Sequence, residues 1–345
     1  MGLFSSTSDL LQRQDVKGQL QLLEVLHSKA SSTANLAKLL HKHPGCLSAV
    51  VQLLSSSHAG VKQNAALVLG RFAYAGTPAN RDSIAAEPGA IRGLTALLNS
   101  NEADGQDAAA AALGALSNWC PANRERIGQE PGVIPRLVAL LSGQTGVELQ
   151  RLAAGVLTNL AWRCPANRQQ VRSEPDAFKH LAAMLSSRDA SVQRTAAWTL
   201  ASLALGSPED SQCISQEPDA IPRLVALLSS SNTDVRFGGA LAIVAAAEGS
   251  GDVRQALERV AAVVWPALCN MQQFTEQPLI FCAEVSRLLH NLAAGSTALC
   301  TSMAGSNKIT LLLQAFGQRL QGTADNTATA ALNLLLNSRM ISGRP

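Results

Sequence analysis

Residues 130–141 read Glu-Pro-Gly-Val-Ile-Pro-Arg-Leu-Val-Ala-Leu-Leu, a proline-led phrase followed by a short apolar run. Related phrases begin at His43, Glu87, Glu174 and Glu217, so that successive phrases lie 44, 43, 44 and 43 residues apart. Each one leads into an apolar run that ends in Leu-Leu or Met-Leu. A constant period near 43 residues is typical of helical repeat proteins, in which stacked units share one continuous core.

The unit from Pro121 to Cys164 indicates how one period is built. Proline is favoured in a first helical turn, glycine interrupts helices, and apolar residues at helical spacing mark a buried stripe. These signals predict three helices, at about 121–129, 136–141 and 147–162. In the other units we expect the third helix at about 61–74, 106–119, 191–205 and 235–247.

The two ends of the chain diverge from this pattern, as terminal repeats do because one of their faces meets water. We predict a flexible leader at 1–16, a solenoid at 17–336 and a frayed tail at 337–345. Within the solenoid the repeats are clear over 43–248 and diverged over 252–336, and Lys17 to His27 is expected to form a capping helix.

Composition narrows the class of protein. The chain is 47% hydrophobic but only 3% aromatic, and alanine and leucine favour packed helices. A net charge of +3 is too small to indicate nucleic-acid binding. The seven cysteines are odd in number and form no CxxC pair, which favours reduced thiols in the cytoplasm, with the nucleus as the other compartment. No apolar run is long enough to span a bilayer.

Motifs that carry catalytic chemistry are missing from the sequence. We find no phosphate-binding loop, dinucleotide fingerprint, zinc-protease motif or nucleophile elbow. The six histidines have no metal-ligand spacing. We therefore expect no enzyme activity, no cofactor, no metal and no small-molecule substrate.

The segments 132–141 and 153–161, followed by Pro-Ala-Asn-Arg at 165–168, resemble the armadillo repeat. HEAT repeats are the nearest alternative, but they normally have two helices. The resemblance implies an all-α, right-handed α-solenoid superhelix of about seven three-helix repeats. It also implies a non-catalytic scaffold or adaptor that binds an extended protein segment along a concave groove.

In armadillo proteins the third helices line the groove, and a ladder of asparagines binds the backbone of the ligand. The resemblance places the groove residues in this chain at Arg71, Asn118, Asn159, Trp198, Ser202 and Asn291. An asparagine amide offers one donor and one acceptor to a peptide unit. The alternative interpretation is that Asn118 and Asn159 only satisfy the ends of neighbouring helices.

Two further binding functions stay open as alternatives. An importin-α-like transport receptor would pair each groove asparagine with a tryptophan four residues earlier, but here Asn118 and Asn159 are preceded by glycines and Trp198 is paired with Ser202. The second alternative is a substrate-binding subunit of a ubiquitin ligase.

The charge of the repeats indicates what kind of ligand they would bind. A net charge of +4 over 118–173 suggests a preference for acidic or phosphorylated ligands.

The N-terminal sequence Met-Gly-Leu-Phe-Ser-Ser matches the pattern for N-myristoylation at Gly2. A single acyl chain gives only marginal and reversible attachment, so the motif predicts weak membrane contact. An ordinary flexible leader is the alternative.

Overall fold

The computed structural model describes residues 16–29, 45–75, 77–269 and 279–342. All of the regular structure within those ranges is helical, which confirms the predicted all-α class. By its internal contacts the chain divides into two compact units, Met1–Ala177 and Phe178–Pro345. Gly2 and most of the predicted leader lie outside the described residues.

The first unit contains the helix at the predicted N-terminal cap and the helices of the clear repeats that precede residue 177. In chain order they are α1 (Val16–Lys29), α2 (Cys46–Leu53), α3 (Ala59–Ala75), α4 (Pro78–Ala86), α5 (Ala90–Leu98), α6 (Ala103–Ser117), α7 (Pro121–Gln129), α8 (Val133–Ala139), α9 (Val147–Ala161) and α10 (Pro165–Ser173).

The second unit continues the same order of helices from the last residue of the first. They are α11 (Ala177–Met184), α12 (Ala190–Ala204), α13 (Pro208–Gln216), α14 (Ala220–Leu227), α15 (Thr233–Gly249), α16 (Gly251–Leu268), α17 (Leu279–Gly295), α18 (Thr297–Ala304), α19 (Asn307–Leu320) and α20 (Thr327–Ser342).

Local sequence explains where the helices of each repeat begin. α4, α7, α10 and α13 all start with a proline at the first helical position, where the missing N–H costs nothing. Gly132 has a φ of 85° and makes the turn from α7 into α8, a backbone conformation that glycine adopts without strain. α8 therefore starts at Val133, three residues earlier than predicted, and Pro135 is accommodated in its first turn.

In the first unit the third helices α3, α6 and α9 pack side by side, and α1 packs on α3. Small residues bring the neighbours close. A Cβ placed on Gly70 would lie 3.3 Å from the Cα of Ala112, and one on Gly114 would lie 3.6 Å from a methyl group of Val156. The two contacts are equivalent in successive repeats, so α3, α6 and α9 are stacked in one layer and in parallel.

In the second unit α12 packs on α15, α15 on α17, and α17 on α20. Every residue of α15 from Phe237 to Ala247 is buried, so this helix is enclosed on all sides. The last helix runs to Ser342. The prediction of a frayed tail from Asn337 is therefore wrong for residues 337–342, which continue the helix.

Candidate functional site

The Pro-Ala-Asn-Arg segments tie the repeats of the first unit together. Arg124 on α7 donates from Nε to the carbonyl of Ser117 (3.2 Å) and from Nη1 to the carbonyl of Trp162 (3.1 Å). Arg81 on α4 likewise donates from Nε to the carbonyl of Ala73 (3.0 Å) and from Nη1 to the carbonyl of Asn118 (2.7 Å). Each arginine therefore links the C-terminal end of the preceding third helix to that of the following one.

The asparagine of the same segment caps the same helix ends. Nδ2 of Asn123 donates to the carbonyl of Leu116 at 3.0 Å. Nδ2 of Asn167 donates to the carbonyl of Leu160 at 2.9 Å and to that of Arg124 at 3.0 Å. From the sequence alone, the Pro-Ala-Asn-Arg segments predict only the starts of helices, and the capping role of their asparagines is missed. The signal that could have revealed the caps is the return of Asn-Arg at the same distance after each third helix.

The capped helix ends establish which positions are equivalent between repeats, and they correct the predicted ladder. The carbonyls of Asn118 and Trp162 accept the same bond from the arginine one repeat earlier. The residues that follow, Trp119 and Arg163, share a left-handed backbone with φ of 51° and 54°. Asn118 is therefore equivalent to Trp162. The residue of α6 that corresponds to Asn159 is Ala115, because α6 ends at Ser117.

The structure places the two predicted asparagines of the first unit in different settings. Nδ2 of Asn159 donates to the carbonyl of Gly114 (3.1 Å) and to Oγ of Ser117 (3.3 Å) on the neighbouring helix α6. This is the helix-end role that the alternative interpretation described, and it leaves Oδ1 as the group that could meet a ligand. Asn118 is exposed, and in the described part of the chain its side-chain amide makes no hydrogen bond. Arg71 is exposed on α3.

The predicted groove residues of the second unit lie in a packed environment. The ring of Trp198 lies 5.5 Å from that of Phe237 and 5.7 Å from that of Phe281 on α17. The side chain of Ser202 is fully buried. Phe281 of α17 thus contacts Trp198 of α12, whose side chain stays partly accessible. Ser202 has no accessible side chain with which to meet a ligand in this packing, and Trp198 remains a predicted groove residue.

Asn291, the remaining predicted residue, is exposed near the C-terminal end of α17. Its Nδ2 donates to Oε1 of Glu248 at 2.7 Å, and Nη1 of Arg287 donates to the same oxygen at 2.5 Å. The amide donor of Asn291 is therefore held within a polar network at the end of α15.

The first unit, by contrast, keeps an open surface on its third helices. Residues at helical spacing remain accessible along α3, α6 and α9, and we call this surface the third-helix face. Its positions are Leu67, Arg71 and Tyr74 on α3; Asp104, Asp107, Ala111 and Ala115 on α6, with Asn118 directly after it; and Glu148, Arg151, Gly155 and Asn159 on α9.

Carboxylates occupy the N-terminal end of this face. Asp104 and Asp107 lie on α6, and Glu148 on α9 is paired with Arg151 on the same helix. Burial, with the negative charges of Glu148 and Asp104, raises the pKa of Asp107 above its ordinary value. Oδ1 of Asp107 is buried and accepts no hydrogen bond from the described residues.

The arginines behind the predicted basic groove are mostly used inside the protein. Arg124 and Arg168 are buried against carbonyls of third-helix ends. Arg136 donates to the carbonyl of Leu98 at 3.2 Å, and Arg151 pairs with a glutamate. The net charge of +4 over 118–173 therefore does not describe the accessible third-helix face, which carries carboxylates.

A family model described as the Armadillo/beta-catenin-like repeat matches residues 120–162 and 164–205. This chain contains armadillo repeats. A model of a HEAT-like repeat matches residues 191–243 as well. No curated protein matches the chain.

Solved structures of engineered proteins resemble this chain over most of its length. One, described as an engineered protein, is 26% identical with a TM-score of 0.72, covering 96% of this chain and 76% of its own. A designed armadillo repeat protein is 25% identical with a TM-score of 0.63, and the match covers 69% of this chain and 97% of the designed protein. A structure of computationally designed armadillo repeat proteins for modular peptide recognition is 25% identical with a TM-score of 0.62. The match covers 69% of this chain and 97% of the designed one.

The described ranges contain neither a candidate membrane-spanning helix nor a candidate metal site. None of the helices there is both long enough and apolar enough to cross a membrane. No three histidine, cysteine, aspartate or glutamate side chains of the described residues are grouped so that they could hold a metal ion.

Proposed function

We propose that this repeat protein is a non-catalytic scaffold that binds an extended protein segment on the third-helix face of its first unit. The observation that carries the proposal is the contrast between the two units. The third helices α3, α6 and α9 leave an accessible stripe of polar and aromatic side chains, whereas α15 is enclosed. The similarity to armadillo proteins designed for modular peptide recognition supports the same function.

The spacing of the helices suits such a segment. Packed helices lie about 8–10 Å apart, which matches about three residues of extended chain. A segment that crosses α3, α6 and α9 would therefore engage them with about nine residues. Asn118 offers a complete amide to its backbone, and Asn159 offers its Oδ1 as an acceptor for a peptide N–H.

The preference for an acidic ligand has lost its basis, because the arginines that suggested it are bonded to the protein itself. An importin-α-like receptor remains an alternative with little support, since the only tryptophan at a clamp position, Trp198, is packed on Phe237 and Phe281. A ubiquitin-ligase subunit has no observation in its favour. Acylation at Gly2 remains a prediction.

The proposal is tested by native affinity capture with quantitative mass spectrometry. The bait variants are Asn118→Ala, which removes no internal hydrogen bond of a described side chain, and the double variant Asn118→Ala/Asn159→Ala. Asn99→Ala is the matched control, since Asn99 is exposed directly after α5 and lies outside the third-helix face, and all variants are first compared by thermal unfolding. We expect a set of proteins that the control retains and the double variant loses. Identical sets from all baits would contradict the proposal.

A further inference from the structure

The third-helix face of the first unit has two sides of different chemistry. At the N-terminal side Asp104 and Asp107 of α6 present carboxylates, and we call these two residues the carboxylate wall. Glu148 stands beside them but is neutralised by Arg151. Arg151 also attracts the carboxylate of Asp107, but Oδ1 of Asp107 accepts no hydrogen bond from the described residues. One arginine among the carboxylates of Asp104, Asp107 and Glu148 leaves this side of the face negatively charged.

The opposite side of the face is aromatic. Tyr74, at the C-terminal end of α3, is 79% exposed, and Trp119, which follows α6, is 39% exposed. We call these two residues the aromatic wall. They stand on adjacent repeats, since Tyr74 is equivalent to Asn118, the residue before Trp119. Large exposed aromatic side chains are characteristic of binding hot spots.

The backbone of Trp119 sets the position of its indole ring. Its φ of 51° is left-handed, as is the φ of 54° of the equivalent Arg163, so the conformation belongs to the turn that follows each third helix. The equivalent position after α12 is Gly206, with a φ of 66°. The fold therefore accepts glycine at this turn, yet the first unit places an exposed indole there. Its one described ring contact is edge-on to Trp162, at 6.3 Å between centroids.

The floor between the two walls is made of small uncharged residues. Ala111 and Ala115 lie on α6 between Asp107 and Asn118, and Gly155 occupies the equivalent part of α9. Eleven residues separate Asp107 from Asn118, which is about 16 Å along the helix axis. That width accommodates one extended chain with side chains reaching to either side.

An extended chain that runs across parallel helices points successive side chains to opposite edges, with a period of two. One edge then meets the carboxylate wall and the other meets the aromatic wall. Arg71 lies near Tyr74 on the same helix and disfavours a second cation on that side. We propose that the third-helix face of the first unit selects an extended segment in which basic residues alternate with large apolar residues. This inference rests on the proposed function and specifies the chemistry of its partner.

The test uses two nine-residue peptides of identical composition. In the alternating peptide lysine occupies the odd positions, leucine positions 4 and 6, and serine positions 2 and 8. In the control peptide the leucines are exchanged with the lysines at positions 3 and 7, so that both residue types share one edge. Affinities of the full chain are measured by fluorescence anisotropy at low and at physiological salt.

We expect the alternating peptide to bind about tenfold more tightly, an energy difference of about 1.4 kcal/mol. Tyr74→Ser should abolish most of that preference, and Trp119→Ala should reduce it in the same direction. Asp107→Asn should weaken both peptides at low salt, because it removes a charge. Leu311→Ser, which removes another exposed apolar side chain from α19 of the second unit, should change nothing.

Equal affinities for the two peptides would overturn the inference and leave the proposed function intact. A preference that survives in both Tyr74→Ser and Trp119→Ala would also overturn it. Because Tyr74 is so exposed, its variant remains informative if Trp119→Ala does not fold. Failure of both peptides to bind would refute the alternating pattern, while the capture experiment with the asparagine variants decides separately whether the face binds protein.

Discussion

Replacing Arg124 with methionine should destabilise the first unit strongly, because this side chain holds two third-helix ends together. Arg124 is only 5% exposed, and it bonds the carbonyls of Ser117 and Trp162 at 3.2 and 3.1 Å. Hydrogen bonds from charged donors contribute about 1.5–3 kcal/mol each, and a buried acceptor left without a donor adds a cost. Burial also lowers the pKa of Arg124, and the loss of that buried charge offsets part of the effect.

The balance of these contributions is a loss of about 3 kcal/mol in the free energy of unfolding. For a unit of this size the expected fall in Tm is about 6–12 °C. The assay is urea and thermal unfolding followed by circular dichroism. Arg126→Met is the matched control, since Arg126 lies exposed on the same helix and bonds only the side chain of Asn123 at 3.1 Å.

The control should remain within about 0.5 kcal/mol of the wild type, as surface substitutions usually do. Equal stabilities for Arg124→Met and Arg126→Met would refute the reasoning that the arginine links neighbouring repeats. A fully stable Arg124→Lys variant would refute it too, because a lysine ammonium cannot reproduce the planar fork that reaches both carbonyls.

Three further outcomes are expected. Gly128→Ala should lower the free energy of unfolding by about 1–3 kcal/mol, because the new Cβ would overlap the side-chain amide of Asn167. An unchanged urea midpoint would contradict this expectation. The pKa of Asp107 is raised above 3.8, so ionisation of Asp107 at pH 7 lowers the free energy of unfolding. Asp107→Asn should therefore raise the free energy of unfolding at pH 7, and this gain should disappear as the pH falls below 3.8. Burial raises the pKa of Cys46 to about 11 and that of Cys269 to about 12, so mass spectrometry should show both thiols alkylated at pH 8 only after unfolding.

Helix starts in the first unit could be predicted because their causes are local. The helix from Pro121 to Gln129 begins with a proline that tolerates only that position and ends before a glycine turn. The predicted start of α8 at residue 136 is too late, because the helix already begins at Val133. Proline is tolerated anywhere in the first turn, and Gly132 makes the turn that starts the helix.

The ladder could not be placed correctly, because it depends on where α6 ends. The phrases Leu-Ser-Asn at 116–118 and Leu-Thr-Asn at 157–159 are similar, yet their asparagines are not equivalent, because α6 ends at Ser117 and Asn159 lies within α9. At that end of α6 the caps from Asn123 and Arg124 hold the last carbonyls. Those bonds come from the next repeat, so the local sequence of α6 does not reveal them.

The enclosure of α15 in the second unit is also a long-range effect. Trp198 meets Phe281, which lies more than eighty residues later in the chain. Periodicity identified the third helices of both units equally well. It contained no information on which of them would be covered, since coverage depends on the packing of α17 over α15.

The most direct test of the central claim is hydroxyl-radical footprinting of the protein alone and with a partner captured on it. The exposed residues Tyr74 and Trp119 report on the third-helix face of the first unit, while Leu311 and Val263 are exposed in the second unit. We expect a bound partner to lower the extent of oxidation of Tyr74 and Trp119 and to leave the oxidation of Leu311 and Val263 unchanged. Protection of the second pair, with no change at Tyr74 and Trp119, would contradict the central claim.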